Sequence, residues 1–215
     1  CSETLEQELD EFSALDRVGI VSIMDHTPGA RQFADLGQLR TYMSKKRGLT
    51  DDEFEAHVRN LKSISTKNAA RHETASVQAA QRLGAVLASH DDTTRDHVST
   101  SAQHNVTFAE FPTTVAAAQA CKDHGIAIMM GAPNLIRGGS HSGNVSACDL
   151  AQRDLLDIVS SDYVPAALLQ SVVTLGHLWG DWARAMRTVT HAPAQATGLS
   201  DRGTLAIGQR ADVIQ

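Results

Sequence analysis

Histidines and carboxylates directly follow apolar, strand-length runs at several points in this chain of 215 residues. Asp25-His26 follows the run VGIVSIM, His90 follows LGAVLAS, and Asp162 follows LDIVSS. Imidazole nitrogens and carboxylate oxygens are ligands for zinc, manganese and similar divalent ions, and both groups can transfer protons. The pattern therefore indicates an enzyme with a metal-dependent site.

The elements that must position these residues alternate between strand and helix. Five apolar runs are hydrophobic at odd and even positions alike, which is typical of strands buried on both faces. Helix-patterned segments separate the runs, so the sequence predicts an α/β fold with parallel strands. The carboxyl ends of parallel strands form the active face of such folds, and the residues above should meet there. The predicted strands are 17–24, 84–89, 105–110, 126–130 and 156–161.

The predicted helices differ in length, and the longest begins at Thr50-Asp51-Asp52-Glu53, which is similar to a capping box. A tail with the sequence GTLAIGQRADVI is predicted to form a hairpin, and residues 131–147 are predicted to form a loop. The predicted helices are 3–15, 36–46, 51–83, 94–103, 113–124, 148–154, 165–178 and 181–190.

Each of the polar clusters also has a structural alternative. Asp91 and Asp92 could bind a metal, could orient the imidazole of His90, or could cap the helix that follows. The residues around His26 could form a simple turn, and Asp162 could cap a helix. The position of these residues at predicted strand ends favours the functional interpretation.

The Gly/Ser/Asn-rich loop 131–147 suits an anionic ligand. Its glycines let backbone N–H groups approach a ligand closely, and Arg137 offers a planar, permanently charged fork for phosphate oxygens. Asn134, Ser140 and His141 add polar contacts. The loop is not a Walker P-loop, because no Gly-Lys-Ser/Thr follows. We therefore expect phosphate binding here, with a flexible linker as the alternative.

Composition narrows the class of protein. The net charge is −6 with both signs mixed along the chain, so nucleic acid is not an expected partner. No apolar run is long enough to cross a membrane, and three cysteines without paired spacing favour a reduced, cytoplasmic setting. Helical histidines such as His72 are expected to be solvated, and Trp179 and Trp182 are expected to pack helices. The chain begins without methionine and ends within a strand pattern, so we expect a fragment of a longer protein.

Several longer stretches carry a family resemblance. The tail from Thr190 to Val213 resembles the carboxyl-terminal signature of the amidohydrolase superfamily, in which a metal-dependent TIM barrel precedes a small β-sandwich. Four more stretches resemble one branch, the diphosphatases of the carbon–phosphorus lyase pathway of phosphonate metabolism. These are SIMDHTPGARQF (22–33), AVLASHDDTT (85–94), EFPTTVAAAQA with MGAPNLIRGGSHSGNVSA (110–147), and SSDYVPAALLQ (160–170).

The resemblance implies a partial TIM (β/α)8 barrel over residues 1–192 that lacks its first strands, with the start of a small β-sandwich over 193–215. It also implies hydrolysis of a phosphoanhydride in a phosphorylated sugar, a ribose triphosphate, with release of pyrophosphate. No His-x-His motif of a first strand is present, so we expect the 215-residue chain alone to be inactive. A homo-oligomer is left open.

The resemblance further implies divalent metal ions, with zinc, manganese, nickel and iron not distinguished. His26, His90, Asp162 and Glu110 are the implied metal ligands, with His90 and Asp162 also catalytic. Glu110 departs from the family, because many members have a metal-binding histidine there. The implied polyphosphate contacts are Arg137, Ser140, His141 and Asn134.

Two other functions remain open. One is a different amidohydrolase activity, deacetylation or deamination of a small molecule, which the tail and Asp162 fit equally well. The other is a metal-free α/β module that binds phosphorylated sugars through the loop 131–147. Such a module would need neither His90 nor Asp162.

Overall fold

The computed structural model describes residues 2–12, 14, 18–140 and 142–213. Helices and parallel strands alternate along this part of the chain, which confirms the predicted α/β class. The chain divides into two compact units, Cys1–Asp91 and Asp92–Gln215.

The first unit contains two parallel strands and a long helix between them. Strands β1 and β2 pair in register from Ile20↔Val86 to Ile23↔Ser89, so both strands end at the same edge. A 3-10 turn lies at Arg31–Phe33. The elements are α1 (Leu5–Phe12), β1 (Ile20–Ile23), α2 (Leu36–Arg47), α3 (Asp51–Leu83) and β2 (Val86–His90).

Helix α3 has the bounds that the sequence predicts, because both of its ends are encoded locally. The Thr50 side chain accepts a hydrogen bond from the Glu53 N–H, and the Glu53 carboxylate accepts from the Thr50 N–H, which completes a capping box. Gly84 ends the helix in the left-handed region at φ 62°, where a glycine is least strained. At its start α3 packs on α2 through Phe54 and Val58.

The second unit contains three parallel strands in chain order. Strand β4 pairs with β3 at Phe108↔Ala127 and with β5 at Met129↔Ile158. The strands are β3 (Phe108–Glu110), β4 (Ala127–Gly131) and β5 (Ile158–Ser160). The helices are α4 (Arg95–Gln103), α5 (Val115–Asp123), α6 (Ala132–Arg137), α7 (Ala147–Gln152), α8 (Ala167–Trp179), α9 (Trp182–Arg187) and α10 (His191–Ala196).

Both tryptophans near the end of the chain contact neighbouring helices, as predicted, although Trp182 stays half exposed. The indole N–H of Trp179 donates to the Ala151 carbonyl at 3.0 Å, and the Arg184 guanidinium lies 3.9 Å from the centre of its ring. Trp182 packs against Gly176, where an added Cβ would overlap the indole. The contacts of Arg184 and Trp182 hold α9 against α8, and the hydrogen bond to Ala151 joins α8 to α7.

Two local predictions were wrong. The segment 131–147 begins with helix α6, which Pro133 helps to start and Gly138 ends in the left-handed region. The predicted hairpin is not formed in the tail as far as Val213, where turns replace strands and the side chains of Leu205 and Ile207 are exposed. A two-stranded hairpin is marginal without a third strand or a helix to cover it. Among the described residues, no helix is long and apolar enough to cross a membrane.

Candidate metal centre

Three side chains with metal-binding atoms cluster at the carboxyl ends of β1 and β2. The Nε2 atom of His26 lies 3.3 Å from Oδ2 of Asp91, and Nδ1 of His90 lies 2.8 Å from the same oxygen. The two imidazole rings meet edge to face, with centroids 5.4 Å apart. One ligand atom from each residue falls within 4.8 Å of the others. The structure therefore brings His26 and His90 together, and their role as metal ligands stays a prediction.

The local backbone explains why these side chains converge. His90 is the last residue of β2, and Asp91 turns the chain sharply by adopting a left-handed conformation at φ 56°. A left-handed aspartate costs about 1–2 kcal/mol, so the surrounding contacts must hold it. One such contact comes from Arg31, whose Nη1 donates to the His90 carbonyl at 2.9 Å. In the loop after β1, Asp25 accepts a hydrogen bond from the Thr27 N–H at 3.0 Å.

The electrostatics of the cluster keep Asp91 ionised. Burial raises the pKa of its carboxyl group, but hydrogen bonds and positive charge from His26 and His90 outweigh burial and hold that pKa below its ordinary value. The Asp91 side chain is only 3% exposed, whereas that of His26 is 43% exposed. The cluster is therefore closed on the Asp91 side and open to a ligand on the His26 side.

The donor set fits a divalent cation. Two ligand atoms that each lie about 2.1 Å from a tetrahedral zinc ion are about 3.4 Å apart. The 3.3 Å separation between His26 and the Asp91 oxygen matches that spacing, and the 2.8 Å separation between His90 and the same oxygen would have to widen by about 0.6 Å around an ion. Two imidazoles and one carboxylate are also the usual protein ligands of a hydrolytic zinc site that keeps a position open for water.

The helix-capping interpretation of the two aspartates was wrong. Helix α4 is capped by Thr94, whose side chain accepts from the His97 N–H. Asp92 is fully buried and accepts a hydrogen bond from the Ser101 hydroxyl at 3.1 Å, so it braces the fold. Burial, with a smaller contribution from the charge of Asp92, raises the pKa of the nearby Cys121 thiol to about 12.

Asp162 occupies a constrained position at the end of β5 in the second unit. It is exposed and adopts a left-handed conformation at φ 50°. Its carboxylate lies over Gly131, the last residue of β4, where an added Cβ would come within 2.8 Å of Oδ2. The Gly131 position therefore makes room for this carboxylate, a relation that the sequence alone did not indicate.

Glu110 ends β3 and is half-buried. The next residue, Phe111, is left-handed at φ 55°, as Asp91 and Asp162 are near the ends of their own strands. Backbone conformations of this cost persist at functional sites when surrounding contacts impose them. Such a conformation is not encoded in a motif, so the pattern of residue types could not have located it.

The predicted phosphate contacts lie on and after α6. Arg137 is exposed at the end of α6, and its Nη1 donates to the Tyr163 hydroxyl at 3.0 Å, beside Asp162 in sequence. The Asn134 side-chain oxygen accepts from the Ala147 N–H at 3.0 Å and so fixes the start of α7.

Ser140 forms a local turn in which its hydroxyl accepts from the Ser142 N–H at 3.1 Å. His141 lies outside the described residues.

The predicted site residues thus fall into two groups. His26 and His90 belong to the first unit and are joined there by Asp91. The other predicted ligands and the phosphate contacts belong to the second unit. The convergence of both groups on one site stays a prediction. Asp91 was foreseen only as one of several options, because a residue's type does not reveal that a left-handed backbone turns its carboxylate back toward two imidazoles.

Comparison with known proteins gives one strong similarity in sequence. The chain matches no family model. It is 44% identical over 202 residues to the alpha-D-ribose 1-methylphosphonate 5-triphosphate diphosphatase of Escherichia coli (strain K12), and the alignment covers 92% of this chain. It covers 53% of the relative, so the chain spans about half the length of the curated protein that it matches.

Two solved structures show a weaker likeness. An uncharacterized protein has a TM-score of 0.50 at 16% identity, covering 64% of this chain and 40% of its own, which supports the fold alone. An uncharacterized metal-dependent hydrolase from Pyrococcus horikoshii OT3 has a TM-score of 0.46 at 17% identity, covering 63% of this chain and 34% of its own. That second score is too low to support an argument. In sequence, the chain is similar over nearly its whole length to about half of an E. coli ribose methylphosphonate triphosphate diphosphatase.

Proposed function

We propose that the full-length protein is a metal-dependent diphosphatase that hydrolyses α-D-ribose 1-methylphosphonate 5-triphosphate to the 5-phosphate and pyrophosphate, in phosphonate catabolism. The observation that carries the proposal is the 44% identity over 202 residues to an E. coli enzyme named for this reaction. The cluster of His26, His90 and Asp91 supports it, because a hydrolase of this kind needs imidazole and carboxylate ligands at strand ends.

We further propose that the α/β part, residues 1–192, belongs to a TIM (β/α)8 barrel. Parallel strands that follow one another in the second unit, each pair joined through helices, support this arrangement. Residues 193–215 would then lead into a small β-domain. The exposed apolar side chains of Leu205, Ile207 and Val213 suit a segment that packs against further strands.

A divalent ion would be held by His26, His90 and Asp91 in this proposal, with Asp162 and Glu110 as further ligands. When bound, such an ion neutralises charge on phosphoryl oxygens and lowers the pKa of bound water. Zinc, manganese, nickel and iron all suit an imidazole and carboxylate set.

Side chains of this protein would then transfer the proton and bind the polyphosphate. The Asp162 carboxylate accepts a proton from the attacking water as the new P–O bond forms and the bridging P–O bond breaks, releasing pyrophosphate. Arg137 presents its guanidinium to the charged oxygens of the polyphosphate. Asn134, Ser140 and His141 add hydrogen bonds. The hydroxyl of Tyr163 accepts a hydrogen bond from Arg137 and so helps to hold its guanidinium in place before the substrate arrives.

A cytoplasmic location is part of the proposal. Cys121 and Cys148 are both free thiols, and free thiols persist in a reducing compartment. A small phosphorylated sugar is the proposed partner.

Phosphorus NMR of the reaction products tests the proposed function. The full-length protein, loaded with manganese or zinc, should convert the ribose triphosphate to pyrophosphate and the 5-phosphate. Asp162→Asn should slow that conversion by about a hundredfold or more, because general-base catalysis contributes about 10²–10⁴. Release of orthophosphate alone, or release of acetate or ammonia from model substrates without pyrophosphate from this one, would overturn the proposal.

A further inference from the structure

The loop that carries His26 also lines a cavity of about 260 Å³ within the first unit, whose wall is made of both polar and apolar side chains. Asp25 and Arg31 form one wall, at the carboxyl end of β1, and helix α3 forms the opposite wall. Arg31 also donates to the carbonyl of His90, so one side chain contacts both the cavity and the metal cluster. The cavity is therefore placed to receive part of a ligand bound at the cluster.

The wall supplied by α3 is polar where an apolar face would be expected. Residues that recur every three or four positions lie on one face of a helix, and this face begins with Phe54 and Val58 packed on α2. Further along the same face the residue types change. The next positions at this spacing are Leu61, Ser65, Asn68, His72 and Ser76, and the last four line the cavity.

Two of the polar side chains on this face are buried. His72 is 9% exposed and Ser76 is 7% exposed, although a histidine on a helix was expected to be solvated. Burying a polar side chain destabilises a protein unless the group is hydrogen-bonded, and Nε2 of His72 has a contact of this kind, 3.4 Å from Nη2 of Arg71. Other polar residues of α3, such as Asn60 and Ser63, lie on its outer face and are exposed to solvent.

The charged and polar side chains of the cavity indicate the kind of ligand that it would bind. Two carboxylates, Asp25 and Glu73, and one cation, Arg31, line it together with serine hydroxyls, the Asn68 amide and several apolar side chains. Carboxylates repel a polyphosphate but accept hydrogen bonds from vicinal hydroxyl groups, as they do at the ribose of dinucleotides. The volume equals about nine water molecules at roughly 30 Å³ each, which suits one sugar ring.

We propose that this cavity is the sugar-recognition subsite, in which Asn68, His72 and Ser76 of α3, with Asp25 and Glu73, bind the hydroxyl groups of a ribose ring. The inference rests on the proposed function for its link to catalysis. It assigns α3 a role in substrate specificity, with the polyphosphate directed away from the two carboxylates.

Calorimetry on the full-length protein with two probes, D-ribose 5-phosphate and inorganic pyrophosphate, tests the subsite. Asn68→Ala and Ser76→Ala should each weaken ribose 5-phosphate binding about five- to tenfold, the effect of one lost hydrogen bond, and leave pyrophosphate binding unchanged. Asn60→Ala and Ser63→Ala, matched changes on the outer face of the same helix, should alter neither.

Three results would overturn the subsite. The first is that all four variants bind ribose 5-phosphate with the same affinity. The second is that Asn68→Ala and Ser76→Ala weaken the binding of ribose 5-phosphate and of pyrophosphate equally, and the third is that the unmodified protein does not bind ribose 5-phosphate. A pyrophosphate-release assay on the unmodified protein separates this inference from the proposed function. If release is absent but ribose 5-phosphate binding depends on Asn68, the proposed function fails and the subsite stands. If pyrophosphate is released but ribose 5-phosphate binding does not depend on Asn68 and Ser76, only the subsite fails.

Discussion

Replacing Gly131 with alanine should disturb Asp162 without disturbing the fold. The added Cβ would lie 2.8 Å from Oδ2 of Asp162, while ordinary contact begins at 3.4 Å, so the carboxylate oxygen must move by about 0.6 Å. A displacement of about 1 Å in a catalytic group can cost about a hundredfold in rate. We therefore expect Gly131→Ala to lower kcat about ten- to a hundredfold.

The cost to stability should be small. Gly131 has φ −78° and ψ 134°, a conformation that alanine adopts without strain. The nearest atom is the end of an exposed side chain, which can rotate away. Alanine also restricts the unfolded chain, which offsets part of any clash, so the free energy of unfolding should change by less than about 1 kcal/mol. This corresponds to a shift in Tm of no more than about 4 °C.

The assay combines pyrophosphate release with thermal unfolding of the full-length protein. Gly19→Ala is the matched control, because a Cβ at Gly19 meets nothing within 4 Å and Gly19 lies outside the predicted phosphate loop. The loss should also vanish in an Asp162→Ala background, because the two changes act on one group. Full kcat in Gly131→Ala, or an undiminished effect when Asp162 is already absent, would refute the reasoning.

Three further predictions concern the metal cluster, a buried thiol and helix packing. Asp91→Asn should weaken divalent metal binding at least tenfold, measured by chelator competition, since even outer partners of ligands contribute about that much; unchanged affinity would contradict the assignment of Asp91 as a ligand. The Cys121 thiol, with its pKa raised to about 12 by burial, stays protonated in the folded chain while the unfolded thiol ionises above its ordinary 9.0. The stabilisation from the protonated thiol is therefore complete below pH 9, and the free energy of unfolding falls as pH rises, by about 1.4 kcal/mol at pH 10. Denaturant titrations of Cys121→Ala should not show this fall. Gly176→Ala should destabilise the fold by about 1–3 kcal/mol in the same titrations, because its Cβ would overlap the Trp182 indole; a neutral result would mean that α8 and α9 can separate at no cost.

The sequence predicted the elements whose signals are local and missed those that depend on partners. All five strands were found because runs such as LGAVLAS are apolar on both faces. The bounds of α3 were found because a capping box and a left-handed glycine mark them. Helix α6 was missed because six residues are too few to show helical periodicity. The tail alternates like a hairpin, but a hairpin also requires a surface to cover it.

The candidate site was predicted in the same uneven way. His26 and His90 could be placed together because each lies at or just after the end of one of two parallel strands that end at one edge. The sequence could not show that Asp91, rather than Asp92, is the candidate ligand. The Asp91 carboxylate faces the imidazoles and the Asp92 carboxylate faces Ser101 because the backbone turns at Asp91. The polar face of α3 was also missed, because its residues look solvated until the opposite wall of the cavity is known.

Anomalous diffraction from crystals of the full-length protein, grown with zinc and measured at the zinc edge, examines the metal cluster itself. A peak about 2.0–2.2 Å from Nε2 of His26, Nδ1 of His90 and Oδ2 of Asp91 is the predicted result. A zinc peak elsewhere, with these three atoms still in mutual contact, would contradict the metal assignment. So would the absence of any peak at a saturating zinc concentration.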